Sequence, residues 1–262
     1  MTILLLLFGC GVKELQTDSK NSSVLSKSAL NSVAVAGSVY KVPGKDVYLT
    51  FDDGPNTFFT EPILNILDKE QVKASFMVIG KNAERNPDII KRMINEGHAV
   101  INHTYTHDYQ KIYSSPEALI ADLDRANTVL ENLVGQPVKI FRPPGGVSFL
   151  THDFRSKLKE SGYQSIGWNI TGADTTPRAL KPEEVYQSVS SGLILVEELH
   201  LTPIVLLHDG GQVDVKAAAS PSMETYITNR EAVVKVLPEI IQLFKSKGYT
   251  FVTVDQNTPQ PW

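Results

Sequence analysis

Short apolar runs with strand character alternate with helical patterns from Asp46 onward, and this alternation constrains the fold more than any other feature of the chain. The runs are DVYLTF, ASFMVI, HAVIN, KIF, YQSIGW, PIVLLH and YTFVTV. Between them lie EPILNILDKE, PDIIKRMINEG, SPEALIADLDRANTVLENLVG, THDFRSKLKESG, PEEVYQSVSSG and NREAVVKVLPEIIQLFKSKG. Several of these segments open on Pro and close on Gly, as from Pro87 to Gly97 and from Pro182 to Gly192, which is the start and stop asymmetry of helices. Seven strands separated by helices over about 210 residues predict a single α/β domain with a parallel sheet, either a closed or distorted barrel or an open doubly wound sheet. No glycine-rich phosphate fingerprint follows the first strand, which disfavours the dinucleotide-binding version of the open sheet. No internal repeat is evident.

The segment before the first strand is of a different kind. From Lys13 to Ser38 it is rich in Ser, Asn, Lys and small residues with no aromatic before Tyr40, a composition that cannot bury enough apolar surface to order itself. Residues 13–42 are therefore expected to be a flexible linker with a reach of roughly 30 Å, leaving the domain to residues 43–262. Residues 1–12 hold a short apolar run that is far below the roughly 20 residues needed to span a bilayer. It ends in Leu7-Phe8-Gly9-Cys10, which resembles the lipobox of bacterial lipoproteins, without a basic segment before it and with Phe8 bulkier than usual. Cys10 is the expected lipidation site, and it implies an extracytoplasmic chain, membrane-anchored or secreted and facing the cell wall. As the sole cysteine it excludes an internal disulfide and a cysteine-based metal site. A net charge of -4 without a dense Lys/Arg cluster argues against a nucleic-acid partner.

In parallel α/β folds the active site gathers at the carboxyl ends of the strands. The polar residues just beyond the runs are few: Asp52 and Asp53, His103 and His107, Arg142, Asp174, and His208-Asp209. HTYTH sets two imidazoles four residues apart, on a loop or single turn because Thr and Tyr favour extended structure. With one carboxylate they could make a three-ligand zinc site that leaves a position open for water, although the pair alone reads equally well as two incidental histidines. Taken singly, each feature has a plainer reading: Asp-Asp-Gly-Pro as a tight turn, His208 as a satisfied strand-end histidine, Arg142 as half of a surface ion pair. Their common position at one end of successive strands is what favours a site. His98, His152 and His200 have no such partners and read as structural or surface residues.

TFDDGP at 50–55, HTYTH at 103–107, RPPGG at 142–146 and LLHD at 206–209 together resemble the polysaccharide deacetylase family, the NodB-homology domain of carbohydrate esterase family 4, over about Val47 to Val254. The resemblance implies a distorted (β/α) barrel and a divalent metal, usually zinc, with cobalt or another divalent ion as a substitute. It also implies hydrolysis of acetyl groups on an N-acetylated glycan polymer or oligosaccharide. Asp53, His103 and His107 match the metal ligands, Asp52 the general base, His208 the general acid, Arg142 the residue that positions the base, and Asp174 the carboxylate that orients the acid. Pro144, Gly145 and Leu206 fall at substrate and oxyanion positions. Two departures stand out. Gly145 occupies the place of the family's aromatic after the two prolines, which implies loss of the aromatic wall of the groove. In TGADT, Thr171 and Thr175 replace the first aspartate and the tryptophan of the D-x-x-D-W pattern.

The expected function is removal of N-acetyl groups from cell-wall glycan, foremost peptidoglycan N-acetylglucosamine, by a monomer. Chitooligosaccharide and acetylxylan are the alternative substrates. A glycoside hydrolase using Asp52 with Asp174 or Asp209 leaves His103 and His107 unexplained, and a non-catalytic glycan-binding protein leaves the whole reactive set unexplained.

Overall fold

Strand β1 (Lys45–Asp52) is buried along almost its whole length, and the architecture follows from what each of its faces meets. The structure is a computed structural model that describes residues 45–210 and 221–260. Cys10 and the linker over 13–42 lie outside the described residues. The remaining strands are β2 (Ser75–Val78), β3 (Ala99–Asn102), β4 (Ile140–Phe141), β5 (Gln164–Ser165), β6 (Ile170–Thr171), β7 (Ile204–His208) and β8 (Tyr249–Val252). The helices are α1 (Thr60–Glu70), α2 (Gly80–Arg85), α3 (Pro87–Asn95), α4 (Tyr109–Ile112), α5 (Pro116–Val134), α6 (His152–Glu160), α7 (Pro182–Glu198) and α8 (Pro221–Ser246).

All strand pairings are parallel, in the order β5-β4-β3-β2-β1-β7-β6, with β8 added to the first half of β1 at Lys45–Tyr48. Among the described residues the outer strands β5 and β6 do not pair, so the curled sheet is a distorted, unclosed barrel. The eighth strand is β6, two residues that begin just past YQSIGW and pair with β7. It was invisible in the sequence because two residues carry no periodicity.

Side chains alternate across a strand. Val47, Leu49 and Phe51 of β1 enter the larger core with Phe76, Val78, Val100, Val205 and Leu207, beneath α1, α3, α7 and α8. Each fully buried Leu, Ile or Phe there contributes roughly 1.5–3 kcal/mol, and burial on both faces is the norm for parallel sheets. Tyr48 instead faces a small inner core with Met77, Ile101, Ile166, Ile204 and Val254. The period of two then carries Thr50 and Asp52 onto the side of Tyr48, His103 onto that of Ile101, and Leu206 and His208 onto that of Ile204. The inner face is thus apolar at its base and chemically reactive at its rim.

Helix ends follow local chemistry. Ser115 caps α5 by accepting from the Ala118 N–H at 3.1 Å, and Gly135, at φ 84, closes it. Helix α7 does not stop at Gly192 as its composition suggested but runs on to Glu198. Gly192 is a packing glycine: a Cβ there would lie 3.0 Å from Ile170 of β6.

Candidate active site

Asp52 ends β1 in register with Met77 of β2 and His208 of β7. On an extended strand the next side chain would point to the opposite face. Asp53 instead adopts φ 79, in the left-handed region, and its carboxylate comes to lie beside the two imidazoles. Its N–H donates to Met77 O at 3.1 Å, and the Asn82 side chain donates to its carbonyl at 2.9 Å, which holds this uncommon conformation. The reversal is therefore made by Asp53 itself. Gly54 is needed for another reason: its N–H donates to Asp209 Oδ1 at 3.1 Å, and a Cβ would collide with that carboxylate. Thr60 Oγ1 donates to the other oxygen of Asp209 at 2.6 Å. Burial pushes the Asp209 carboxyl up to about 7, opposed by the Thr60 hydrogen bond and reinforced by the charges of Asp53 and Asp52.

His103 and His107 sit on a loop between β3 and α4, with Thr104 at φ 65 and His107 at φ 55. Asp122 of α5 braces that loop: Oδ1 accepts from the N–H groups of Tyr105 at 2.6 Å and Thr106 at 2.9 Å, and Oδ2 from Thr106 Oγ1 at 2.8 Å. The Nε2 atoms of His103 and His107 lie 3.3 and 3.1 Å from Asp53 Oδ1. His103 Nδ1 is 2.8 Å from Arg142 O. A carbonyl can only accept, so Nδ1 carries the proton and the Nε2 of the neutral ring turns its lone pair toward Asp53. Asp53 Oδ1 is itself buried and receives no hydrogen bond. Acceptors thus converge on a point that a cation would satisfy, with the three ligand atoms within 4.8 Å of one another. Two imidazole nitrogens and one carboxylate oxygen suit a divalent metal with an open coordination position. Without an ion the charges compensate internally. Burial alone would raise Asp53, yet its contacts with His103 and His107 hold it well below the usual carboxylate range. Burial alone would lower His103, yet Asp52 and Asp53 raise it.

Arg142 is fully buried, at 0% exposure, just beyond β4. Its Nη1 donates to Asp52 Oδ1 at 2.7 Å and to Thr50 Oγ1 at 2.8 Å, and its Nη2 to Gly167 O at 2.9 Å. A buried guanidinium is tolerable only with such partners. Asp52 Oδ2 lies 3.7 Å from His103 Nε2, so the carboxylate pinned by Arg142 borders the metal-binding trio.

Across β1, His208 Nδ1 donates to Asp174 Oδ1 at 2.9 Å, and the His208 N–H donates to Oδ2 at 2.9 Å. Burial would lower the His208 imidazole, but Asp174 raises it, and Asp174 is lowered in return. Behind them stands Arg230 of α8, also buried. Its Nη1 donates to Asp174 O at 2.9 Å and Oδ2 at 3.3 Å, and its Nε to Gly210 O at 3.0 Å. The structure thus brings together every predicted reactive residue and adds two that were missed, Asp122 and Arg230.

Gly145 and Gly146 have φ 73 and φ 93, which favour glycine. The Gly146 N–H closes onto Pro143 O at 2.9 Å, whereas among the described residues no acceptor takes the N–H of exposed Gly145. Pro144 O accepts from Tyr113 Oη at 2.7 Å. Leu206 is buried two residues before His208. The groove has not lost its aromatic wall at Gly145: Tyr109 and Phe149 occupy that place, each 2.8 Å from where a Cβ of residue 145 would sit. Thr171 and Thr175 are exposed, while Trp168 packs against Gly146 and lies beside Arg142. His98 is structural, its Nδ1 accepting from the Ala74 N–H at 3.1 Å.

The chain is similar to proteins of known class. The family model for polysaccharide deacetylase matches residues 40–166. A peptidoglycan-N-acetylglucosamine deacetylase of Bacillus cereus is 33% identical over 219 residues, covering 83% of this chain and 91% of that protein. A chitooligosaccharide deacetylase of a Bradyrhizobium species is 31% identical, covering 78% of this chain and 87% of its own length. The crystal structure of a Bacillus cereus polysaccharide deacetylase superposes with a TM-score of 0.67 at 27% identity, over 83% of this chain and 96% of that one. A curled parallel sheet with Asp53, His103 and His107 gathered at its rim, and a relative one-third identical over most of both lengths, place the chain in the polysaccharide deacetylase family.

Proposed function

We propose that this chain hydrolyses the acetamide of N-acetylglucosamine units in peptidoglycan, releasing acetate and leaving a free amine. One observation carries the reading: the Asp53, His103 and His107 cluster shares its rim with two buried, separately braced groups at the ends of neighbouring strands, Asp52 held by Arg142 and His208 held by Asp174. A carboxylate and an imidazole beside a metal-binding point are what amide hydrolysis requires, one to remove a proton from water and one to return it to nitrogen.

Asp53, His103 and His107 would hold zinc, which when bound supplies Lewis acidity, lowering the pKa of water from about 15.7 to about 7. Asp52 takes the proton of the attacking water, its Oδ1 fixed by Arg142 so that Oδ2 serves as the base. The unpaired N–H of Gly145 meets the negative charge that develops on the acetyl oxygen. His208 keeps its Nδ1 proton on Asp174 and gives its Nε2 proton to the departing nitrogen. The lipobox-like Cys10 supports a chain tethered outside the cytoplasmic membrane, beside the polymer it would act on. The chitooligosaccharide deacetylase relative supports short N-acetylglucosamine oligomers as a second substrate.

The test is acetate release from peptidoglycan, chitooligosaccharide and acetylated xylan, with and without chelator. The expected result is release from peptidoglycan that chelator stops and zinc restores. Release indifferent to chelator, or shortened chains with acetyl groups intact, would overturn the reading.

A further inference from the structure

Gly145 leaves a gap in the chain's own pattern, and the structure shows what fills it. The ring of Tyr109, at the start of α4, and that of Phe149, in a short 3-10 turn after β4, both lie 2.8 Å from the position a residue-145 Cβ would take. Tyr109 is 40% exposed and Phe149 44%. Neither is packed as core, yet neither stands alone. Tyr109 meets His107 edge-on with ring centroids 5.4 Å apart, and Phe149 edge-on at 5.7 Å. Tyr113 stacks on Phe149 at 4.8 Å with 12° between planes and meets Tyr109 edge-on at 6.0 Å, and its hydroxyl is tied to Pro144 O. The two exposed rings are therefore held in place by a third, and one of them borders a metal-binding histidine.

Large apolar rings held rigidly at the rim of a reactive groove mark a binding surface, and rings ordered in advance bind without a further ordering cost. We infer that Tyr109 and Phe149 form the platform on which a sugar ring adjoining the reacting N-acetylglucosamine unit stacks, the C–H face of the pyranose lying against the face of one ring while the other, turned 77° to it, walls the sugar's edge. This rests on the glycan deacetylase reading and deepens it: the platform selects oligomeric over single-sugar substrates, through positions outside the four motifs.

The test compares Phe149→Leu, Phe149→Trp and Tyr109→Leu with the unaltered zinc-loaded chain. Leucine keeps an apolar side chain and removes the ring. The substrates are an N-acetylglucosamine pentasaccharide and nitrophenyl acetate, which has no neighbouring sugar. The leucine variants are expected to lose about tenfold more kcat/KM on the pentasaccharide than on the ester, mainly through KM. Calorimetry on the metal-free chain should show pentasaccharide affinity falling by about the same factor, with Phe149→Trp close to the unaltered chain. Equal losses on both substrates, or unchanged pentasaccharide affinity, would overturn the platform. Failure of the deacetylase reading looks different: the unaltered chain would release no acetate from any glycan, while the calorimetric comparison would still report on the rings.

Discussion

Replacing Arg142 by methionine tests whether its buried guanidinium exists to hold the Asp52 carboxylate. Methionine preserves much of the side-chain volume, and the backbone carbonyl that orients His103 is untouched. Lost are the bonds from Nη1 to Asp52 Oδ1 at 2.7 Å and Thr50 Oγ1 at 2.8 Å, and from Nη2 to Gly167 O at 2.9 Å. Asp52 is only 3% exposed, so water cannot substitute for the missing cation. Leaving a buried charge without its partner costs about 3–5 kcal/mol, which for a domain of this size lowers Tm by roughly 6–20 °C. Unfolding should be followed by circular dichroism in chelator, so that metal affinity does not enter the comparison. The decisive comparison is a cycle with Asp52→Asn. If Arg142 compensates the Asp52 charge, Arg142→Met should cost about 1–3 kcal/mol less when combined with Asp52→Asn than when made alone. Equal costs in the two backgrounds would refute the argument and assign the arginine to Thr50 and Gly167 instead.

Other outcomes follow from the same geometry. Asp52→Ala should lower turnover by roughly 100-fold or more with metal content unchanged, whereas His107→Ala should reduce bound zinc measured by atomic absorption; equal metal loss in both would undo the division of labour. Asp174→Asn removes the charge that raises the His208 imidazole against its burial. The proton on His208 is then lost at lower pH, so the alkaline limb of the kcat profile moves to lower pH, and an unmoved limb would separate His208 from the proton donor. In the unaltered metal-free chain the raised His208 pKa contributes stability that is fully present below the unfolded-state value of about 6.5 and fades as pH rises through the folded value; Asp174→Asn should flatten that decline in urea titrations. Gly54→Ala places a methyl group against the Asp209 carboxylate and should cost about 1–3 kcal/mol, to be read from urea midpoints.

The elements that could be read from sequence were those with enough residues to show a period. The stripes of α1, α3, α5 and α6 and the long apolar runs of β1 and β7 fall where the pattern put them, whereas α2, α4 and β6 are too short to leave one. The reactive residues were legible because each ends a strand or follows one, but two of their supports lie in helices. Asp122 interrupts the buried stripe Leu119, Leu123, Ala126 and Leu130 of α5, and Arg230 extends the stripe Val233, Leu237, Ile240 and Phe244 of α8. A charged residue on an apolar face is itself the signal, since such a group is buried only where a partner awaits it.

The backbone conformations were less accessible. Gly54-Pro55 advertised a turn, but the residue in the left-handed region is Asp53, a conformation an aspartate adopts only because Met77 and Asn82 hold its peptide groups. Gly145 shows the converse limit. Motif comparison registers a missing side chain and infers an open wall, because it compares positions along the chain. The volume is instead filled by Tyr109, two residues beyond the second histidine, and Phe149, four residues past the glycine. A bulky side chain at 145 and these two rings cannot share the space, so substitution at one place requires rearrangement at the others. On the platform proposal, substrate preference depends jointly on residues 109, 145 and 149, and Gly145→Tyr alone should lower pentasaccharide affinity in calorimetry, because the new ring would have to displace both existing ones.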